Sequence, residues 1–86
     1  MLRIGDKVRV INQDECYETY TDFFKVYKLG KYLDLYVAAR NNYEGYIRVI
    51  EQHEEQDNLI YLVEGEYGII LMDEEGLEKV SEGDNE

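Results

Sequence analysis

The residues of this chain best suited to metal chemistry are one histidine and the carboxylates around it. His53 lies in the stretch EQHEEQDN at positions 51–58. A metal site would need further ligands converging about 2 Å from one ion, and Asp57, four residues later, shares a face with His53 only on a helix. Strand-like segments flank this stretch, so we interpret it as a hairpin tip. We predict a solvated acidic loop and no metal site, with only weak cation binding open to Glu54, Glu55 and Asp57.

The nucleophilic residues are poorly placed for catalysis. The one cysteine, Cys16, is flanked by Asp14, Glu15 and Glu18, and nearby anions disfavour the reactive thiolate. The one serine, Ser81, lies in a polar terminal segment. Paired carboxylates would need a cleft that desolvates one of them, and an 86-residue chain has little room for one. The seven glycines are isolated, so no phosphate-binding loop is present, and we predict neither enzymatic activity nor a cofactor.

Alternating apolar and polar residues predict a mainly β chain with five short strands. The first, within LRIGDKVRVI, places its apolar residues, including Ile4, on one face if Gly5 forms a short turn. The third and fourth are apolar on both faces, so one face would fill a core and the other would need a cover. Glu64 to Glu66 are predicted as the tight turn between them. The later strands are predicted at 45–50, 59–64, 67–72 and 77–80.

One short helix is predicted between the first and second strands. In TYTDFFKVYKLG, at 19–30, the aromatic residues recur with the i, i+3, i+4, i+7 spacing of a single helical face. Gly30 is expected to end this helix in a left-handed conformation. Residues 31–42 are predicted to be irregular, with a turn at Asn41 and Asn42.

Length and composition indicate one domain. With 86 residues, the chain can form a single core, which we place at 1–80. The segment SEGDNE at 81–86 has no apolar residue and is expected to be a disordered acidic tail. The lone Cys16 cannot form an internal disulfide, and no secretory leader or run of roughly 20 apolar residues is recognisable. These features favour a cytoplasmic location.

The strand motifs resemble those of small SH3-like barrels. IGDKVRV is similar to their opening strand, EGYIRVI to the glycine-led strand after their long first loop, and DEEGLEKV to the acidic turn and terminal strand that close them. The likeness covers residues 2 to 80 and is greatest to uncharacterised phage and prophage barrels with a tyrosine-rich helix after the first strand. It implies a five-stranded SH3-like barrel with one inserted helix. Related KOW-type barrels bind RNA or the ribosomal and transcription machinery through basic loop residues.

Charge is unevenly distributed along the chain. Residues 1–40 carry seven basic and six acidic side chains, whereas residues 41–86 carry two basic and fourteen acidic ones, for a total of −11. Binding to duplex DNA is driven by neutralisation of its phosphates, for which this charge has the wrong sign. The same charge would steer the chain toward a basic protein surface.

The nine tyrosines offer a second binding feature. Helical spacing predicts that Tyr20 and Tyr27 are buried, but so small a domain cannot bury all the others, and exposed tyrosines favour interfaces. We therefore predict a non-enzymatic module that binds a host or phage protein through an acidic, tyrosine-bearing face within 43–67. The predicted partner-binding residues are Tyr43, Glu44, Tyr46, Glu51, Glu54, Glu55, Asp57, Glu64, Glu66 and Tyr67.

Other functions stay open at this point. A KOW-like module would bind RNA or the ribosome through basic residues, and a virion structural or assembly component would self-associate. The acidity could also serve solubility alone, and a homodimer is compatible with each function. The basic residues of the KOW-like alternative are Lys7, Arg9, Lys25, Lys28, Lys31 and Arg40.

Overall fold

The computed structural model describes residues 1–17, 28–52 and 59–81. The predicted helix at 19–30 falls outside this part except for its last three positions, and His53 and all but the first residue of the predicted tail fall outside it as well. The described residues form a mainly β structure, as predicted. The strands are β1 (Lys7–Val10), β2 (Glu44–Gln52), β3 (Leu59–Gly65), β4 (Gly68–Asp73) and β5 (Leu77–Lys79).

The five strands form one curled antiparallel sheet in the order β4-β3-β2-β1-β5. Its outer strands, β4 and β5, are joined by a 3₁₀ helix of only three residues, Glu74–Gly76. Four strand spacings of about 4.8 Å would separate these strands by about 19 Å in a flat sheet, whereas this connection spans at most about 14 Å. The sheet must therefore curl strongly, with β4 and β5 as its edge strands.

The N-terminal segment turns before β1 begins. The amide of Asp6 donates to the carbonyl of Arg3 at 3.0 Å, and Gly5 has a φ of 95° that favours glycine. This turn leads directly into Lys7, so the predicted turn at Gly5 is confirmed. Ile4 is 65% exposed, and its predicted inward orientation is wrong. Leu2 packs against the core as expected.

The hairpin of β3 and β4 turns at a different place from the prediction. The strands pair as far as Gly65 and Gly68, which leaves Glu66 and Tyr67 as the two turn residues. A Cβ at Gly68 would collide with the carbonyl oxygen of Leu35, and its φ of 139° also requires glycine. The turn thus lies one to two residues later than the local pattern predicts.

The two faces of this hairpin belong to two apolar clusters. On the first face, side chains of β3 and β4 meet those of the other three strands in the main core. On the second face, the connection between β1 and β2 supplies a cover, as the apolar pattern of both faces requires. The main core comprises Val8, Val10, Ala39, Ile47, Tyr61, Val63, Ile70, Met72 and Leu77. The second cluster comprises Ile60, Leu62, Ile69 and Leu71, under Tyr17, Leu29, Tyr32, Tyr36 and Val49.

The segment before β2 is more regular than predicted. Gly30–Leu35 form a 3₁₀ helix, and the left-handed residue before it is Lys28, with a φ of 58°, rather than Gly30. The predicted left-handed stop at Gly30 is therefore wrong. Asn42 has a φ of 71°, which confirms the predicted turn at this position.

Both segments that flank the undescribed residues 18–27 pair with the edge of β4. Cys16 forms an antiparallel bridge with Met72, and Tyr36 forms a parallel bridge with Ile69. Backbone groups of this edge are thus satisfied within the chain, which protects it from pairing with another strand. Among the described residues, no helix has the length and apolar character to cross a membrane.

Candidate binding groove

An open groove lies on the polar face of β1, β2 and β3. Its volume is about 470 Å³, and it brings together side chains that are far apart in sequence. Gly45 and Gly65 face each other across β2 and β3 and contribute only backbone to its lining. The groove residues are Lys7, Glu44, Gly45, Tyr46, Arg48, Glu64, Gly65 and Glu66.

Strand register positions the groove side chains. Lys7 lies opposite Tyr46, and Tyr46 lies opposite Glu64, so these three residues form a row across β1, β2 and β3. The register between β2 and β3 shifts between Ile47 and Val49. Such an irregularity re-aims the bulged residue, here Arg48, whose side chain lines the groove beside this row.

Arg48 makes two contacts within the groove. Its Nε donates to Oε1 of Glu64 at 3.0 Å, and its guanidinium carbon lies 5.3 Å from the ring centroid of Tyr46. The side chains of Arg48 and Glu64 are both roughly two-fifths exposed. An ion pair and a cation–π contact therefore hold an arginine at a site that solvent reaches.

A second set of ion pairs borders the groove. Arg9 lies opposite both Glu44 and Glu78, and its Nε and Nη2 donate to the same oxygen of Glu78 at 3.1 and 2.7 Å. The hydrogen bond and charge of Glu78 raise the pKa of the Arg9 guanidinium, as does the charge of Glu44. Lys7 lies 3.6 Å from Glu44. Glu44 and Glu64, which were predicted to bind a partner, thus already form ion pairs with basic side chains of this chain.

The remaining predicted carboxylates divide into two groups. Glu66 is exposed at the groove edge and Glu51 is half-buried in β2, and within residues 1–17, 28–52 and 59–81 neither makes an ion pair. Glu54, Glu55 and Asp57 lie outside the described residues. Glu66 is therefore the carboxylate most available to a partner in the described part of the groove.

Tyr43 and Tyr67 lie at the turn of the β3–β4 hairpin. The hydroxyl of Tyr43 donates to the carbonyl of Gly68 at 2.7 Å and accepts from the amide of Tyr67 at 3.1 Å. The two rings are 6.5 Å apart. Tyr67 is 76% exposed, so Tyr43 holds the turn while the ring of Tyr67 remains open to a partner.

The other four tyrosines in the described part of the chain contribute to packing. Tyr17, Tyr32 and Tyr36 cover the second apolar cluster, and the hydroxyl of Tyr36 donates to the carbonyl of Tyr17. Tyr61 is buried in the main core. Of the three tyrosines predicted to bind a partner, Tyr67 is exposed, whereas Tyr43 and Tyr46 are half-buried.

The structure places one acidic cluster that the sequence analysis did not single out. Carboxylate oxygens of Glu15, Asp73 and Glu75 lie within 4.8 Å of one another, on the side of the domain where Gln13–Glu15 and Glu74–Gly76 form 3₁₀ helices. The hydroxyl of Tyr17 donates to Asp73 at 3.4 Å. The run DEE at 73–75 is visible in the sequence, but its approach to Glu15 depends on the fold.

The described basic residues of the RNA-binding alternative differ in their surroundings. Lys7 and Arg9 are engaged by Glu44 and Glu78. Lys28, Lys31 and Arg40 are exposed, with Lys31 5.1 Å from the ring centroid of Tyr32, and Lys25 lies outside the described residues.

Comparison of the chain with known protein families, curated proteins and solved structures found no match. The geometry of the groove is therefore the basis on which a function can be argued.

Proposed function

We propose that this chain is a non-enzymatic acidic binding module that recognises a basic protein surface. The observation that carries the proposal is the groove on β1, β2 and β3, where Glu44, Glu64 and Glu66 converge beside Tyr46. Carboxylates and an aromatic ring are the groups that bind cationic side chains. Tyr67, largely exposed on the same hairpin turn as Glu66, extends the binding face.

The overall charge supports a protein partner over a nucleic acid. A net charge of −11 repels phosphates and steers a basic surface toward the groove, with an association rate that falls as salt is added. Four of the cationic side chains, those of Lys7, Arg9, Arg48 and Lys79, already pair with carboxylates of this chain. At most five of the nine basic side chains are thus left for a phosphate backbone, in a chain that carries twenty acidic ones.

The fold we propose is a small SH3-like barrel of the phage type. Three observations support it: the opening motif IGDKVRV leads into β1, the glycine-led motif EGYIRVI forms β2, and DEEGLEKV forms the acidic turn and β5. The strong curl required by the short β4–β5 connection is compatible with a barrel. A phage protein of this kind would act in the host cytoplasm and could inhibit a nucleic-acid-handling protein by occupying its basic groove.

Affinity capture with charge variants tests the binding face. The tagged chain is incubated with a bacterial lysate, retained proteins are eluted with a salt gradient, and the captured protein is then purified and titrated directly. Changing Glu51 and Glu66 together to lysine is expected to weaken binding at least about tenfold, because like charges then meet across the interface. The matched control changes Asp14 and Glu74, which are exposed outside this face, to lysine. The two double variants therefore carry the same net charge.

Equal loss of affinity in the two double variants would contradict the assigned face. Retention of RNA rather than protein in the same capture, lost when Lys28, Lys31 and Arg40 are changed to glutamine, would instead favour the KOW-like alternative. Self-association of the purified chain, measured by sedimentation, would favour an assembly role.

A further inference from the structure

We propose that the groove selects arginine side chains and that Arg48 occupies this arginine site until a partner displaces it. The inference rests on the proposed function, since it names the chemical group that a basic partner would insert. Its starting point is that an arginine of this chain already sits there, held by Glu64 and Tyr46.

The contacts of Arg48 are those by which proteins commonly recognise a guanidinium. Nε donates to a carboxylate at 3.0 Å while the planar group lies near an aromatic ring, 5.3 Å from its centroid. A lysine ammonium can also pair with the carboxylate, but it lacks the planar face that a guanidinium places near the aromatic ring. The arrangement of Tyr46 and Glu64 therefore favours arginine over lysine.

The site is open enough for exchange. Arg48 and Glu64 are exposed by 43% and 41%, and the groove of about 470 Å³ continues past them to Glu44 and Glu66. An incoming guanidinium can therefore approach Glu66 first and take over Glu64 and Tyr46 as Arg48 swings into solvent.

Competition by Arg48 predicts a gain of binding when Arg48 is removed. An exposed ion pair combined with an exposed cation–π contact corresponds to about a threefold to tenfold effect on an equilibrium. Arg48→Gln should raise affinity for an arginine-rich peptide by that factor. Arg40→Gln is the matched control, because Arg40 is exposed outside the groove and its loss changes the net charge equally.

The measurement is a titration of the purified chain with an arginine-rich peptide and with a lysine-rich peptide of the same length and charge. The wild-type chain should bind the arginine peptide more tightly. Arg48→Gln should strengthen binding of the arginine peptide more than that of the lysine peptide, and Arg48→Lys, which retains the net charge, should give an intermediate gain.

Three results would overturn the inference. Equal affinity for the two peptides would show that the groove does not select arginine. An equal gain in peptide affinity in Arg48→Gln and Arg40→Gln would show that net charge alone causes the gain. Both outcomes leave the proposed binding of basic surfaces intact. Failure of every variant to bind either peptide would contradict the proposed function itself.

Discussion

The contacts and exposure of several single residues depend on the fold and cannot be read from the neighbouring sequence. Arg48 is unremarkable in the sequence, because its partner Glu64 is sixteen positions away and the register shift beside it depends on the whole β2–β3 pairing. Ile4 follows the alternation of a buried strand yet lies in a turn. Local patterns predicted the glycine turn at Gly5 correctly, since that conformation depends mainly on the residue itself.

The glycine at the end of β3 is required by a close approach of two strands. A Cβ at Gly65 would lie 2.5 Å from the carbonyl oxygen of Glu44 and 2.6 Å from the ring of Tyr43. Gly65→Ala is therefore expected to lower the free energy of unfolding by about 1 to 3 kcal/mol, measured by urea denaturation. Gly30→Ala, where no atom of the described residues lies within 4 Å of the added Cβ, is the control and should change the free energy of unfolding by less than about 0.5 kcal/mol. Equal effects would contradict this account.

The hydroxyl of Tyr43 should stabilise the hairpin turn. It donates to the carbonyl of Gly68 and accepts from the amide of Tyr67 in a half-buried position. Tyr43→Phe removes both hydrogen bonds and is expected to lower the free energy of unfolding by about 1 to 2 kcal/mol, measured by thermal or urea denaturation. Tyr67→Phe, at a largely exposed ring, should be neutral, and a neutral Tyr43→Phe would show that the hydroxyl has no structural role.

At the scale of elements, strand positions were more predictable than their connections. The apolar run predicted at 59–64 forms Leu59–Gly65, because alternation and β-branched residues are local signals. The turn between β3 and β4 was misplaced because glycines at 65 and 68 both permit a turn, and the local pattern does not distinguish them. The cover over the second apolar cluster was expected, but its supply by Tyr17, Tyr32 and Tyr36 follows from tertiary packing.

The burial of Tyr61 within β3 predicts a loss of stability in alkali. Burial raises the pKa of the Tyr61 hydroxyl above its ordinary value of about 10, and the charges of Glu74 and Asp73 raise it further. Below that value the phenol is neutral in both the folded and unfolded states. As the pH rises above it, the unfolded chain loses the proton first, so the free energy of unfolding falls until the folded pKa is passed.

Tyr61→Phe isolates this effect. The stability difference between wild type and Tyr61→Phe should be constant below about pH 9 and shift in favour of the variant above about pH 10, measured by urea denaturation across pH. A constant difference for Tyr61→Phe at all pH values would contradict burial of an ionisable hydroxyl.

At the scale of the whole molecule, the charge division seen in the sequence is partly undone by the fold. Pairing of β1 with β2 and β5 brings Lys7 and Arg9, from the basic half, onto Glu44 and Glu78 of the acidic half. A sum over sequence positions cannot anticipate which strands become neighbours. The excess of carboxylates predicted from the sequence remains in the folded chain, and Glu66 is exposed at the groove. The net charge of −11 also acts on a partner at long range.

The central claim is that the groove binds cationic protein side chains and that the molecule rejects phosphate backbones. The most direct test titrates the purified chain, at physiological ionic strength, with an arginine-rich peptide and with single-stranded RNA and duplex DNA. We expect saturable binding of the peptide that weakens as salt is raised and is reduced by Glu66→Gln more than by Glu74→Gln, with no binding of either nucleic acid. Tight binding of RNA or DNA together with no binding of the peptide would contradict the claim.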